Sequence, residues 1–189
     1  MMDQSFEAAL VRQCAPTLAG MNPGSLFCYR GATLDQCRRK AEQWEERLSP
    51  LGLSVSVLLE RPAQSSAIIY VYRHSHLSRV LSTPCYRDFL AGMGYRGSGV
   101  ADHLACLADR LGSAPEFPHE IGVFLGYPLR DVVGFIENRG QNFTCCGLWK
   151  AYGDPVATRR CFDCYRRCVD CYLELYRQGI PIEQLAVAI

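Results

Sequence analysis

The C-terminal third of the chain contains one long segment whose residue pattern fits a helix. Asp154 and Pro155 form a typical helix cap and first turn, and Gly179 is a typical helix stop. Between them, at about 100° per residue, most charged side chains fall on one side and most apolar side chains on the other. The segment therefore predicts a long amphipathic C-terminal helix whose apolar side packs against the rest of the protein.

Four of the eleven cysteines lie in this segment, within the sequence CFDCYRRCVDC. They are Cys161, Cys164, Cys168 and Cys171, and helical geometry places them all on the apolar side, where free cysteine behaves as a small hydrophobic residue. The first and last are about 15 Å apart along the axis. Four thiolates on one intact helix therefore cannot share a zinc ion, whose bonds to sulfur are about 2.3 Å long. We expect these thiols to be buried, with metal binding by a neighbouring pair as the alternative.

The rest of the chain has the patterns of a mixed domain. Strands are expected at 25–30, 53–60, 67–73 and 146–152. A turn-like RPAQSS sequence joins the second and third strands and predicts a hairpin. Helices are expected at 4–14, 33–48, 76–92, 100–111, 118–125, 129–138 and 182–188. This order predicts an α+β (or α/β) fold over residues 1–189, a single globular domain with a small sheet of about four strands packed by many helices.

Positive and negative charges are nearly balanced, with 20 basic and 19 acidic residues and a formal net charge of +1. A surface without basic excess gives no general reason to expect nucleic acid as a partner. The first residues include acids, and the apolar stretches are far shorter than the roughly 20 residues that a bilayer requires. We therefore expect a cytoplasmic protein with no membrane partner, in which the cysteines remain thiols.

Residues 120–138 have a pattern that resembles a helix-turn-helix. In a DNA-binding protein the second helix enters the major groove, and its exposed residues contact bases or phosphates. The positions that would be exposed here are Leu129, Arg130, Val133, Gly134 and Glu137. Because only Arg130 among them suits DNA contact, the pattern favours a pair of packed helices joined by a tight turn, and DNA binding is the lesser alternative.

His119 and Glu120 follow Pro118 at the start of a predicted helix and are the candidate catalytic residues. The pair could act as a general base and its orienting carboxylate. Adjacent helical side chains point about 100° apart, however, and a glutamate near a helix N-terminus also has a plain structural role. A small enzyme that uses this pair is therefore an alternative rather than the main hypothesis.

Other residues are candidates for binding small molecules or metals. Lys150 alternates with Trp149 along a predicted strand, so one of the two can pack in the core while the other contacts an anionic ligand. Tyr127 and Arg130 are further candidates for ligand binding. The candidate metal ligands for zinc or iron are Cys145, Cys146, His103 and Cys106, of which the last two have helical i, i+3 spacing.

The segment EFPHEIGVFLGYPLRDVVGFIENRG, followed by GLWKAYG, resembles the signature of an uncharacterised bacterial family that occurs mainly in anaerobes. The resemblance extends over nearly the whole chain and includes the early APTLAGMNPGSLF stretch. It implies a family of unknown function and carries no catalytic residue or cofactor. Together with the absence of a complete catalytic motif, it favours a non-catalytic or accessory module that binds a small ligand, a metal or a protein partner.

Overall fold

The computed structural model describes residues 5–113 and 117–187. The strands are β1 (Gly24–Arg30), β2 (Leu53–Arg61), β3 (Ser66–Arg73), β4 (Cys145–Cys146) and β5 (Lys150–Ala151). The helices of the N-terminal half are α1 (Phe6–Leu18), α2 (Leu34–Leu48), α3 (His74–Ser82) and α4 (Pro84–Gly92). Those of the C-terminal half are α5 (Val100–Ser113), α6 (Ile121–Phe124), α7 (Leu129–Glu137), α8 (Pro155–Arg177) and α9 (Ile182–Leu185). No helix within these described ranges is both long enough and apolar enough to span a bilayer.

The central sheet is antiparallel and has the strand order β1-β3-β2. Successive side chains of a strand point to opposite faces. Ile69 and Val71 of the middle strand pack into one core, and Ile68 and Tyr70 pack into another. Helices α1, α2 and α9 cover the first face, and the helices from α3 to α7 cover the second. A sheet that is buried on both faces explains why β3 is apolar almost throughout.

Local sequence signals fix several of the helix ends. The Thr33 hydroxyl accepts a hydrogen bond from the Gln36 N–H at the start of α2, and the Asp154 carboxylate accepts one from the Val156 N–H at the start of α8. The α+β class, the β2–β3 hairpin and the long C-terminal helix are thus confirmed. The strand predicted at 146–152 is instead a short hairpin in which β4 and β5 pair with each other.

Four helix predictions were wrong in their bounds. The first helix continues through Pro16 to Leu18, because burial of its last turn outweighs the hydrogen bond that proline cannot donate. The segment predicted as one helix at 76–92 is two, because Pro84 begins a new helix after Thr83. The helix predicted at 118–125 is only the single turn α6. The helix predicted at 182–188 ends at Leu185. Residues 4 and 188, the outer ends of two predicted helices, lie outside the described part of the chain.

The prediction for the cysteines of α8 was also wrong. Cys164 and Cys171 are exposed, whereas Cys161 and Cys168 are only half-buried. The side of the helix that packs inward is centred instead on Phe162, which is 1% exposed and contacts the β4–β5 hairpin. A large aromatic side chain buries more apolar area than a thiol, so it determines how the helix is rotated against the domain.

A buried arginine connects the sheet to both ends of the described chain. The Arg73 side chain donates hydrogen bonds to the Thr17 and Leu18 carbonyls at the C-terminal end of α1 and to the Val187 carbonyl, over 2.6–2.8 Å. Helix carbonyls without intrahelical partners carry partial negative charge, which suits a buried guanidinium. This contact holds α1 and the segment after α9 against the end of β3.

Candidate ligand-binding site

A cavity of about 430 Å³ lies between the α6–α7 region and the β4–β5 hairpin. Its apolar lining includes Ile121, Leu125, Val132, Phe135 and Leu148. Several residues singled out from the sequence also line it: Tyr127, His119, Lys150 and Cys146. Ligand sites are typically concave and mostly apolar, with a few polar groups, and this cavity has that character and a suitable size.

One wall of the cavity is a pair of stacked aromatic rings. The rings of Tyr127 and Trp149 have centroids 4.5 Å apart and planes 22° from parallel. The Trp149 indole N–H donates a hydrogen bond of 2.9 Å to Asp131, whose other carboxylate oxygen accepts the Tyr152 backbone N–H over 2.9 Å. Asp131 is 3% exposed, so this carboxylate connects α7 to the hairpin from inside and fixes the indole. Burial raises the pKa of the Tyr127 phenol, which therefore remains neutral.

Lys150 lies at the rim of the same cavity. Its ammonium group donates a hydrogen bond of 2.8 Å to the Gly140 carbonyl, and an ammonium group has three donors in all. Gly140 has a φ of +69°, a backbone conformation that glycine adopts without strain. The ammonium nitrogen is also 5.8 Å from the ring centroid of Phe135 and 5.1 Å from that of Phe143. The cation is therefore positioned by its surroundings and retains donors for a ligand.

His119 is next to the same Phe135 ring that Lys150 approaches. Its imidazole centroid is 4.7 Å from that of Phe135 and 6.1 Å from that of Phe117. The same three rings, together with Ile136 and Arg139, line an adjoining cavity. The rim thus brings an imidazole, an ammonium and a guanidinium together around exposed aromatic rings.

A second cavity, of about 470 Å³, lies behind the stacked pair and shares Leu125, Tyr127, Leu148 and Trp149 with the first. Its other lining is more polar and includes Arg12 of α1 and Arg166 of α8. Tyr165 also faces it, and burial, followed by the neighbouring Cys161 and Tyr127, raises the pKa of its phenol to about 12. The Tyr127–Trp149 pair therefore lies between the first, apolar cavity and the second, more polar cavity.

Glu120 is directed away from His119 and into the protein interior. Its carboxylate, 1% exposed, accepts hydrogen bonds from the Arg110 guanidinium and, over 3.2 Å, from the Tyr95 hydroxyl. Burial, together with the neighbouring Glu120, raises the pKa of the Tyr95 phenol. The carboxylate therefore stabilises the contact between α5 and the turn before α6, and the structure does not bring it together with the imidazole.

Arg130 lies on the outer side of α7. Its guanidinium covers Gly153, and its Nε atom is 3.9 Å from an Asp131 carboxylate oxygen. Gly134, an exposed position in the DNA-binding hypothesis, is buried beneath the ring of Tyr152. With α6 reduced to one turn, the segment 120–138 is a turn followed by a helix that packs against the hairpin.

The four candidate metal ligands lie on two separate elements. His103, buried, and Cys106, half-buried, are on α5, where the His103 Nδ1 atom forms a hydrogen bond of 2.9 Å with the Gly99 carbonyl. Cys145 packs against Phe162, whereas Cys146 faces the cavity. Within residues 5–113 and 117–187, no three His, Cys, Asp or Glu side chains converge closely enough to hold a metal ion.

Asp131 and Phe135 complete the site, and neither is among the residues selected from the sequence. Both lie in α7, and Phe135 resembles an ordinary apolar residue of an amphipathic helix. Asp131 did carry a signal, because an acid next to Val132 on the inward side of a helix requires a buried donor. Trp149, which the sequence places in the core, is only half-buried and forms a wall of the cavity.

The geometry defines an α+β domain in which a three-stranded antiparallel sheet lies between two layers of helices and a small hairpin closes an aromatic cavity. The chain belongs to the family described as Protein of unknown function (DUF3793), whose model matches residues 10–186. The membership in a family of unknown function inferred from the sequence is thus confirmed. Comparisons with curated proteins and with solved structures found no match.

Proposed function

We propose that this protein is a non-catalytic binding module, and that the cavity beside Trp149 binds a small anionic ligand with an apolar or aromatic body. The observation that carries the proposal is the arrangement of Lys150 at the rim of a cavity of about 430 Å³ whose walls are largely aromatic and aliphatic. We further propose that the chain acts as one cytoplasmic domain.

The charge at the rim supports an anionic ligand. Lys150, Arg139 and His119 supply donors, and two of them carry permanent positive charge at neutral pH. Among the residues that the structure describes, Asp131 is the one carboxylate that lines the cavity, and both of its oxygens are engaged by the Trp149 and Tyr152 N–H groups. A carboxylate or phosphate at the rim would therefore meet positively charged donors.

The exposed apolar side chains around the opening support an apolar body. Phe117 is 52% exposed, Leu148 46% and Phe143 40%, and all three lie at the cavity or beside Lys150. Large apolar side chains that are clustered and exposed often mark binding sites. A ligand that covered them would remove apolar area from water, a gain of about 25 cal/mol per Å².

The geometry lends less support to the alternative of an enzyme that uses His119 with Glu120. The imidazole faces the cavity, whereas the carboxylate is hydrogen-bonded to Arg110 and Tyr95 in the interior. A general base requires its orienting partner within hydrogen-bond reach. Binding requires only the cavity and its rim, so it is the simpler function for this arrangement.

The proposal is tested by measuring the binding of aryl carboxylates and aryl phosphates, each compared with a neutral analogue, such as the carboxamide or the alcohol. Trp149 is one of two tryptophans, and the other, Trp44, is buried against α1, so fluorescence of a Trp44→Phe variant reports on the cavity alone. We expect at least one charged compound to bind about tenfold more tightly than its neutral analogue, a difference in binding free energy of about 1.4 kcal/mol.

Lys150→Met retains the length of the side chain and removes its charge, so it should abolish the preference for the charged compound. Lys40→Met is the matched control, because Lys40 is the other of the two lysines in the chain and pairs with Glu7 of α1, over 2.7 Å. If every charged compound bound no better than its neutral analogue, or if the two lysine variants behaved alike, the proposed function would be wrong.

A further inference from the structure

The thiols of α8 form a separate surface that is independent of the cavity. Seen along the helix, the buried side contains Phe162, and Tyr165 and Val169 on the same side line the polar cavity. The four cysteines lie on a different side of the helix, about 100° around the helix axis from the buried side. Two of the four are exposed and two are half-buried, so none of these thiols belongs to a buried core.

The thiols are spaced as two chelating pairs. The two cysteines of each pair, Cys161 with Cys164 and Cys168 with Cys171, are three positions apart in the sequence, with two residues between them. Residues three apart on a helix are surface neighbours, with Cβ atoms about 5–6 Å apart. Two thiols at that spacing can bind one soft metal ion, but zinc in a structural site takes four ligands.

No further ligand comes from the same chain in its described part. In residues 5–113 and 117–187, no three metal-ligating side chains converge on one point. The two pairs also cannot combine along one helix, because their outer thiols are about 15 Å apart. Each pair therefore supplies half of a tetrahedral site and requires two more ligands from outside the described part of its own chain.

The pattern around the cysteines indicates where those ligands come from. Ala157 and the four cysteines follow one another at alternating steps of four and three residues. This repeat of 3.5 residues is the spacing of a seam along which two helices pack. Another copy of α8 carries the same seam and the same two pairs, so it supplies the missing ligands in either orientation.

We propose that this thiol seam binds zinc between two copies of the chain, with each ion held by one Cys-x2-Cys pair from each copy. Each ion binds four thiols as thiolates and releases four protons to the solvent, with no change of oxidation state. The Arg167 guanidinium contacts the Cys164 sulfur over 3.4 Å at the border of the seam. A fixed positive charge there stabilises the negative charge of the completed centre.

The test uses the whole chain, purified without an affinity metal, freed of metal by a chelator and kept reduced. Zinc alone is then added, and light scattering during size-exclusion chromatography is combined with elemental analysis. We expect a monomer before addition, and a dimer containing about one zinc per chain afterwards, reversed by the chelator. Cobalt in place of zinc should give the absorption of tetrahedral thiolate coordination.

The variant Cys164→Ser/Cys171→Ser removes one exposed thiol from each pair and should abolish both zinc uptake and dimerisation. The matched control is Cys28→Ser/Cys85→Ser, which changes two exposed thiols on β1 and α4 and should dimerise like the wild type. Circular dichroism verifies that both variants are folded. A protein that stays monomeric with zinc, binds zinc without dimerising, dimerises with chelator present, or dimerises equally in both variants would overturn the proposal.

Discussion

The hydrogen bonds of Asp131 are the most sensitive point of the candidate site. In Asp131→Asn one side-chain oxygen remains as an acceptor, but the new amide group is a donor. It must face either the Trp149 indole N–H or the Tyr152 backbone N–H, both of which now donate to the carboxylate over 2.9 Å. One charge-assisted hydrogen bond is lost, and one donor is left opposite another donor.

The expected cost follows from that loss. A hydrogen bond to a charged group contributes about 1.5–3 kcal/mol, and an unsatisfied buried donor costs a comparable amount that overlaps with it. Relief of the buried charge offsets part of the cost, which leaves a destabilisation of about 1–3 kcal/mol. For a chain of this size the melting temperature should fall by about 2–4 °C per kcal/mol.

A double-mutant cycle with Trp149→Phe separates this reasoning from a general effect of the substitution. Without the indole N–H, the asparagine can accept from Tyr152 and present its amide to no donor, so Asp131→Asn should cost about 1 kcal/mol less in that background. Urea unfolding followed by far-UV circular dichroism gives the four free energies without relying on tryptophan fluorescence. An equal cost in both backgrounds, or a cost below about 0.5 kcal/mol in the wild type, would refute the role assigned to Asp131.

Three further predictions concern the rest of the fold. Arg73→Met leaves the Thr17, Leu18 and Val187 carbonyls without the guanidinium and should lower the free energy of unfolding by on the order of 3 kcal/mol in urea titrations; an unchanged midpoint would contradict this role. Burial raises the pKa of Glu7, but hydrogen bonds from Lys40 and Trp44 outweigh it and hold the pKa below its ordinary value of 4.5. Because the pKa of Glu7 is lower in the folded state, its stabilising effect is present above the ordinary pKa and is lost as the pH falls through the folded-state pKa. Glu7→Gln should therefore lose less stability on acidification than the wild type. Equal slopes of unfolding free energy against pH in the two proteins would argue against this role. A bulky thiol reagent should modify Cys28, Cys85, Cys146, Cys164 and Cys171 first, and Cys14, Cys37 and Cys145 only on unfolding, as peptide mass spectrometry can verify; early labelling of Cys14 would be inconsistent with its position in the core.

Much of the fold could be predicted because its signals are local. Thr33 and Asp154 are capping residues in the sequence and cap helices in the structure. The apolar run at 67–73 predicts a strand, and this strand is β3 in the structure. Where a local rule failed, tertiary burial explains it, as in the helix that continues through Pro16.

The rotation of α8 could not be predicted, because it depends on a partner that is distant in sequence. Helical spacing defines which residues share a side, but several neighbouring sides contain apolar residues. The hairpin presents Cys145 and Trp149 to the helix, and Phe162 fills the space between them. The cysteines consequently face outward, which overturns the core assignment and opens the metal hypothesis for these thiols.

The sequence could predict several residues of the candidate site, but not which of them contact one another. His119, Tyr127, Lys150 and Cys146 come together at one cavity, although nothing in their spacing required it. The side chains of Glu120 and His119 point in different directions, because consecutive residues in a tight turn do not share a side. The Glu120 carboxylate instead binds Arg110 on the interior side.

The most direct test of the central claim is to observe the cavity while a ligand binds. The two tryptophans give two indole N–H signals in a ¹H–¹⁵N correlation spectrum, one from Trp149 at the cavity and one from Trp44 in the core. The experiment is a titration with the charged compound that binds most tightly in the fluorescence assay. We predict that the Trp149 signal shifts progressively while that of Trp44 stays in place, and that Lys150→Met weakens the response. A stationary Trp149 signal at saturating ligand would contradict the assignment of this cavity as the binding site.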